Sequence, residues 1–355
     1  MKPPSARPLV PLLALSLAAC RSAESPPEPE PAPAPDPPGG RTERWLDTAT
    51  IRVRIDEAGS GPLVLFLHGF PELAYSWRHQ LDALAAAGYH AVAPDMRGYG
   101  GTEAPEAIEA YDLVELAGDV VALMDALGEE RAVLVGNDWG AMVAWTAVVL
   151  YPERFTHLIA FSVAYGLRGE KPILDQMRAA AGENFSYVLY FQEPGVAEAE
   201  LDADPRAVFE RFFASHDQAR EPAEITDPRA DAGGLLGRYG RPLERAAWLT
   251  AEDLDHYAET FGRTGFRGGL NYYRNFDRSW ARTADVADSV VDVPVLFLAG
   301  EHDLVIGGAS QEQLEAMMAP VTRDLTVKLI PGAGHWLQQE HPAVVNAAIL
   351  EFLER

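Results

Sequence analysis

Apolar residues fall into two kinds of run along this chain. From residue 51 onward, short apolar stretches alternate with longer segments whose apolar positions recur every three to four residues. Residues 51–55 place Val and Ile between arginines, the alternation of a half-buried strand. Residues 63–67 (LVLFL) are apolar without a break, as a strand covered on both faces requires. Further strands are expected at 91–93, 132–135, 157–161, 295–298 and 325–330. Helices are expected at 76–87, 113–127, 139–151 and 342–353. Such alternation of β and α units predicts an α/β fold with a mainly parallel sheet covered by helices on both sides.

The alternation breaks between residues 164 and 291. That stretch is rich in helix formers and aromatics, shows no clear buried strand, and turns loop-like at 217–241, where Pro222, Pro228 and Gly233-Gly234 fall. It reads as a helical cap inserted over the sheet, which divides the core into residues 45–163 and 292–355.

The junction within 132–151 carries the first sign of chemistry. The strand run stops at Gly136 and the helical pattern starts at Trp139. Gly136-Asn137-Asp138-Trp139-Gly140 therefore has the layout of a nucleophile elbow, a sharp strand-to-helix turn with small residues flanking one exposed reactive side chain. The apex is Asp138, where Ser or Cys is more usual. A carboxylate does not perform serine-hydrolase chemistry, but it can displace a leaving group from a saturated carbon. An acidic residue at a helix N-terminus is also favoured by the helix dipole alone, and this stretch by itself leaves both readings open.

Composition narrows the partners. The chain of 355 residues has 29 basic and 53 acidic side chains, a net charge of −24, which speaks against nucleic acid and against binding anionic lipid through a basic face. There is one cysteine, so no intrachain disulfide and no cysteine metal site can form.

That cysteine, Cys20, closes a segment with the marks of an export signal over residues 1–19. Lys2 and Arg7 supply a positive start, and residues 9–17 an apolar run too short to span a bilayer. Leu17-Ala18-Ala19-Cys20 resembles the bacterial lipobox, which implies lipidation of Cys20 and export to a membrane surface, with the lipid as the only membrane contact. Residues 20–44 then read as a linker. Eight prolines between Pro26 and Pro38 favour extended polyproline geometry, about 3.1 Å per residue, a reach of roughly 60 Å.

Taken together, the motifs resemble the α/β-hydrolase superfamily: strand-His68-Gly69-Phe70-Pro71, the Asp138 elbow, a helical insertion, strand-Gly300-Glu301-His302-Asp303, and a late Gly334-His335-Trp336. An Asp nucleophile with a His-Gly-Phe-Pro loop looks like the epoxide hydrolases. Two insertion segments are similar to the cap of soluble epoxide hydrolases. One is 185–198, with Tyr187, Tyr190 and Glu193-Pro194-Gly195; the other is Phe266-Arg267-Gly268-Gly269-Leu270-Asn271-Tyr272-Tyr273-Arg274-Asn275. The resemblance covers residues 45–355.

It implies a role for each residue. Asp138 attacks an epoxide carbon of a small apolar substrate and forms an alkyl ester. His335 activates water against that ester, oriented by Asp303, with Glu301 as the local competitor. Tyr187 and Tyr273 donate to the epoxide oxygen from the cap, with Tyr190 and Tyr272 as neighbouring alternatives. The N–H groups of Phe70 and Trp139 form an oxyanion hole. Phe70, Trp139 and Trp336 line the substrate pocket, and His68 is structural. No metal and no organic cofactor is implied, since nucleophile, base and water suffice. A haloalkane or haloacid dehalogenase with the same nucleophile is an alternative, with Trp139 as halide donor. Phe70 cannot donate from its side chain, and the paired tyrosines point to an epoxide oxygen instead. A non-catalytic binding protein on the same fold is the other alternative.

Overall fold

The computed structural model describes residues 40–287 and 289–355. The expected signal segment 1–19, Cys20 and the linker up to residue 39 lie outside the described residues.

Eight strands form one sheet: β1 (Thr42–Asp47), β2 (Arg52–Gly59), β3 (Leu63–Leu67), β4 (His90–Pro94), β5 (Ala132–Asn137), β6 (Phe155–Phe161), β7 (Val295–Gly300) and β8 (Leu325–Ile330). Their spatial order is β1-β2-β4-β3-β5-β6-β7-β8. The pairs β1–β2 and β2–β4 are antiparallel and the remaining five are parallel. The helices are α1 (Arg78–Ala86), α2 (Leu113–Leu127), α3 (Trp139–Leu150), α4 (Ile173–Ala181), α5 (Tyr187–Tyr190), α6 (Val196–Leu201), α7 (Pro205–Phe212), α8 (Ala251–Thr264), α9 (Arg267–Arg274), α10 (Phe276–Arg282), α11 (Gln311–Met318), α12 (Leu337–Glu340) and α13 (Pro342–Leu353).

The unbroken apolar runs are explained by what covers them. Successive side chains of a strand point to opposite faces, and here both faces are dry. Leu63, Leu65 and Leu67 of β3, with Leu134 of β5 and Phe297 of β7, join the layer containing α2 and α3. Val64 and Phe66, with Val133, Val135, Ile159 and Leu296, join the layer containing Leu81 and Leu84 of α1 and Val345 and Ile349 of α13. Full burial of one such side chain is worth about 1.5–3 kcal/mol, so these central strands anchor the site that grows from their C-terminal ends.

Strand β1 corrects one boundary. It begins at Thr42, inside the stretch assigned to the linker (20–44), and pairs along its whole length with β2. Its side chains are almost all exposed. The strand is held by backbone pairing and by ion pairs such as Arg44–Glu57, neither of which leaves an apolar pattern. Helix α11 was equally silent, with only Leu314 and Met318 buried.

Between β6 and β7 the described residues form α4 to α10 and no strand, apart from isolated bridges such as Arg220–Pro242. The segment is tied to the core by polar anchors. Asp112 caps the N-terminus of α2, accepting from the N–H groups of Val114 and Glu115, and also receives Arg278 and Arg282 of α10 at 2.7 and 2.6 Å. Among the described residues, no helix is long and apolar enough to cross a membrane.

Candidate active site

The elbow is built by close approach. At Gly140 a Cβ would collide with the backbone carbonyl of Leu67 in β3, and at Gly136 with that of Gly140 itself. Only glycine at both positions lets α3 start so near the sheet. Between them Asp138 takes φ 52°, ψ −117°, a sparsely populated conformation for a residue with a Cβ. The turn lifts the carboxylate off the end of β5 and points it into a cavity of about 410 Å3 between sheet and cap.

The loop after β3 supplies one wall. The Phe70 N–H donates to Asp138 Oδ1 at 2.9 Å, and the Phe70–Pro71 peptide is cis. His68 is fully buried. Its Nε2 accepts from the Met96 N–H at 2.9 Å and its Nδ1 lies 2.9 Å from the Gly69 carbonyl. Burial lowers its pKa to about 4, so it is a neutral structural ring.

His335 follows β8 on a loop fixed by Glu340, whose two oxygens accept from the N–H groups of Gly334 and Trp336 at 2.7 and 3.0 Å. Its Nδ1 is 2.9 Å from Asp303 Oδ1, and its Nε2 is 3.7 Å from Asp138 Oδ2. Asp303 follows β7 and also accepts from the Val305 N–H at 2.8 Å. Glu301, its competitor in sequence, is exposed and accepts from the Gly332 N–H instead. Burial opposes charge on His335, but Asp303 and then Asp138 outweigh it and push its pKa up to about 9. Asp303 is held below the usual carboxylate range, burial being outweighed by His335. Asp138 is raised: burial dominates, and His335 with the N–H groups of Phe70 and Trp139 pulls back only in part.

From the cap, Tyr187 of α5 and Tyr273 of α9 line the same cavity as Asp138. Their rings meet edge to face at 6.0 Å. Tyr273 is 5 % exposed and packs on Phe70, Phe191 and Trp139. Tyr187 is 42 % exposed. Loss of bulk solvent, reinforced by the Asp138 charge, raises both phenols, so both stay protonated. The neighbouring tyrosines are occupied elsewhere. The Tyr190 hydroxyl donates to Glu200 at 2.9 Å, and that of Tyr272 to the Arg97 carbonyl at 2.9 Å.

Of the three residues read as pocket-lining, Phe70 and Trp336 line the cavity and the Trp139 indole does not. It is 3 % exposed and wedged among Tyr272, Tyr273 and Phe276. The first turn of α3 points it back into the cap interface, and only its N–H serves the carboxylate.

Glu72 escaped the sequence reading. It is fully buried beneath the elbow, accepting from the Gly69 N–H, from the side chain of Asn137, and from Gln338 and Gln339. The available signal was an acidic residue set directly after His-Gly-Phe-Pro in an otherwise apolar loop. The cavity's cap wall, with Arg211, His216, Arg220 and Tyr239, was also missed, because it comes from the stretch with the least regular pattern.

Residues 62–342 match the alpha/beta hydrolase fold family. The chain is 49% identical over 323 residues to Epoxide hydrolase A of Mycobacterium tuberculosis, covering 89% of this chain and 98% of that protein. Among solved structures it is similar to Epoxide Hydrolase A from Mycobacterium thermoresistibile, with 46% identity and a TM-score of 0.80 over 88% of this chain and 98% of that one. It is also similar to epoxide hydrolase I of potato (Solanum tuberosum), with 34% identity and a TM-score of 0.78 over 88% and 99%.

Proposed function

We propose that this chain, which belongs to the epoxide hydrolases of the α/β-hydrolase fold, converts an epoxide to a vicinal diol in two steps on Asp138. The observation that carries the reading is the convergence of Asp138, His335, Tyr187 and Tyr273 on one cavity, with Asp303 behind the imidazole.

In the first step an Asp138 oxygen attacks an epoxide carbon, forming a C–O bond as the ring C–O bond breaks. The developing alkoxide accepts hydrogen bonds from the Tyr187 and Tyr273 phenols and takes a proton from one of them. The resting site holds His335 as imidazolium, since its pKa of about 9 lies above neutrality. That proton restores the phenol and leaves His335 neutral. Esterification also removes the Asp138 charge, one of the groups that held the imidazole protonated, so His335 becomes available as a base when one is needed.

In the second step His335 takes a proton from water, and the resulting hydroxide adds to the Asp138 carbonyl carbon. The oxyanion forms within reach of the Phe70 and Trp139 N–H groups, which already face the carboxylate. Collapse expels the diol's oxygen as an alkoxide, which takes the proton of the added hydroxyl by way of His335, and so leaves diol, carboxylate and imidazolium. Only epoxide and water are consumed, and no metal or organic cofactor enters either step.

A panel of neutral epoxides including styrene oxide, with diol measured by chromatography, tests this reading. Failure of every member to give diol removes it, and halide release from a haloalkane panel promotes the dehalogenase. Two features favour the epoxide: the Trp139 indole does not line the cavity, and two protonated phenols do.

The cellular setting is a second part of the proposal. The charged start, short apolar run and Leu-Ala-Ala-Cys at residues 17–20 support export and lipidation of Cys20, with the proline-rich segment as tether. Fractionation of cells expressing a Cys20→Ala variant tests it: the protein moves from the membrane to the soluble fraction. Unchanged partitioning discards the anchor.

A further inference from the structure

The cavity has two unlike sides. Asp138 and His335 face it from the core, while the cap contributes the segment that carries Arg211 and Arg220. In a chain with 53 acidic and 29 basic residues, guanidiniums find carboxylates easily. Arg54 has Asp56 and Glu43, Arg97 has Asp119, and Arg274 has Glu198. Arg220 forms no ion pair with any described carboxylate. Its Nη1 donates to the carbonyls of Arg211 and Gly240 at 3.1 and 3.4 Å, which fixes the plane of the group. Its Nε and Nη2 donate to no described residue. Arg211 is braced in the same way, by the carbonyls of Tyr239 and Ala207, and among the described residues its one ion-pair partner is the exposed Glu224 at 3.8 Å.

The electrostatics agree with the geometry. Burial pulls Arg97 down, yet its hydrogen bonds to Asp119 outweigh that and its pKa is raised. For Arg220, burial is offset only in part by the Tyr239 phenol, and its pKa is lowered. The free donors of Arg220 are open to the cavity rather than sealed in protein, so an anion that enters the cavity can reach them. The planar fork suits a carboxylate, which it can bind through two parallel hydrogen bonds.

We propose that Arg220, assisted by Arg211, binds a carboxylate carried by the substrate. The preferred epoxide then has an apolar body, its ring at Asp138 and an anionic end held by the cap. This inference rests on the epoxide-hydrolase reading of the same cavity.

The test compares an ω-epoxy alkanoate with its methyl ester, of equal chain length, in the wild-type protein and in Arg220→Gln and Arg220→Lys. In the wild type the acid exceeds the ester in kcat/KM by roughly tenfold or more, mainly through KM, as a charge-assisted contact predicts. The ratio falls toward one in Arg220→Gln and partway in Arg220→Lys. Equal values for acid and ester in the wild type overturn the proposal, as does a ratio that Arg220→Gln leaves intact. Arg220 also braces two backbone carbonyls, so the Gln variant can fail to fold. The wild-type ratio, and its decline with added salt, then decide the matter. Calorimetric binding of decanoate against decanol needs no turnover and separates the two readings. Decanoate binding tighter than decanol and weakened in Arg220→Gln supports the subsite, and equal binding overturns it. Failure of every neutral epoxide to give diol strikes at the reaction instead.

Discussion

The imidazole of His335 stands with Nδ1 2.9 Å from Oδ1 of Asp303, and that one contact decides which nitrogen is left for chemistry. Asp303 is held below the usual carboxylate range, so it is ionised and can only accept. The Nδ1 proton stays on the Asp303 side, and Nε2 is the nitrogen that faces Asp138 and exchanges protons during the cycle. Replacing Asp303 by Asn frees that tautomer, and the second step is expected to slow by at least about a hundredfold. Single-turnover kinetics, which resolve ester formation from ester decay, check it: decay slows far more than formation.

Removing the imidazole separates the two steps completely. In His335→Gln, Asp138 still alkylates and the ester persists, seen in intact-protein mass spectrometry as a gain equal to one substrate. Asp138→Asn shows no gain at all. Normal turnover by His335→Gln makes some other group the base.

The pH dependence should differ between the two steps. Ester formation needs Asp138 ionised. Burial raises its pKa, so kcat/KM falls on the acid side at a pH above that of an ordinary carboxylate. Ester decay needs His335 neutral. Its pKa of about 9 belongs to the free site, with Asp138 charged. Loss of that charge lowers it, so the midpoint for decay lies below 9. The same shift affects folding with its own sign. A histidine raised above its unfolded value stabilises the fold fully below about pH 6.5, and that contribution is lost as pH rises through about 9. Stopped-flow traces and denaturation curves across pH 5–10 check both.

The two cap tyrosines should not be equivalent. Tyr273→Phe keeps a ring already packed on Phe70, Phe191 and Trp139, so the fold is retained while one donor to the alkoxide is lost. Tyr187→Phe loses the donor on the exposed side. Each single change is expected to slow ester formation by about 10²–10³, the cost of one donor to a developing oxyanion, and the double change to abolish it. Far-UV circular dichroism and thermal melts establish that all three fold.

Asp112 predicts a stability effect remote from the chemistry. Its buried carboxylate caps α2 and holds Arg278 and Arg282 of α10. Asp112→Ala loses the cap and both ion pairs, at a cost of about 1–3 kcal/mol. The pKa of Asp112 is lowered: burial opposes the shift, and Arg282 and Arg278 prevail. Its contribution is therefore present above the ordinary carboxylate value and lost as pH falls through the depressed one. Urea denaturation of both proteins at pH 7 and near pH 3 checks it, since their difference shrinks at the lower pH.

Much of this was legible in the sequence, for reasons that particular residues make plain. Strands β3, β5 and β7 are covered on both faces, so the apolar run and the burial are the same fact. Asp138 was visible because Gly136 and Gly140 are demanded by backbone contact. Tyr187 and Tyr273 were separable from Tyr190 and Tyr272 only through resemblance, since all four are aromatic residues in helices. Their different hydrogen-bond partners arise from tertiary contacts with Glu200 and the Arg97 carbonyl. Edge strand β1 left no apolar trace. Glu72 and the Arg211–Arg220 wall also went unseen, because each owes its setting to residues distant in the chain.

The Gln192 side chain donates to the carbonyls of Val188 and Tyr273, and Arg274 reaches across to the Phe191 carbonyl and Glu198. These contacts splice the two tyrosine-bearing helices, α5 and α9, directly to each other. Of the chain between them, α8 is docked on the core through the Tyr75–Asp253 and Ser76–Tyr257 hydrogen bonds, whereas residues 213–249, which carry Arg220 and Tyr239 of the cavity wall, form no α-helix and no strand of the sheet. The splice draws on Glu198 of α6 and on nothing in 213–249, so lengthening, shortening or exchanging that stretch is expected to leave the hydroxyl pair where it is. The acid half of the reaction and the choice of substrate are thereby placed on separate pieces of the cap, so one can be rebuilt, by evolution or by design, without disturbing the other.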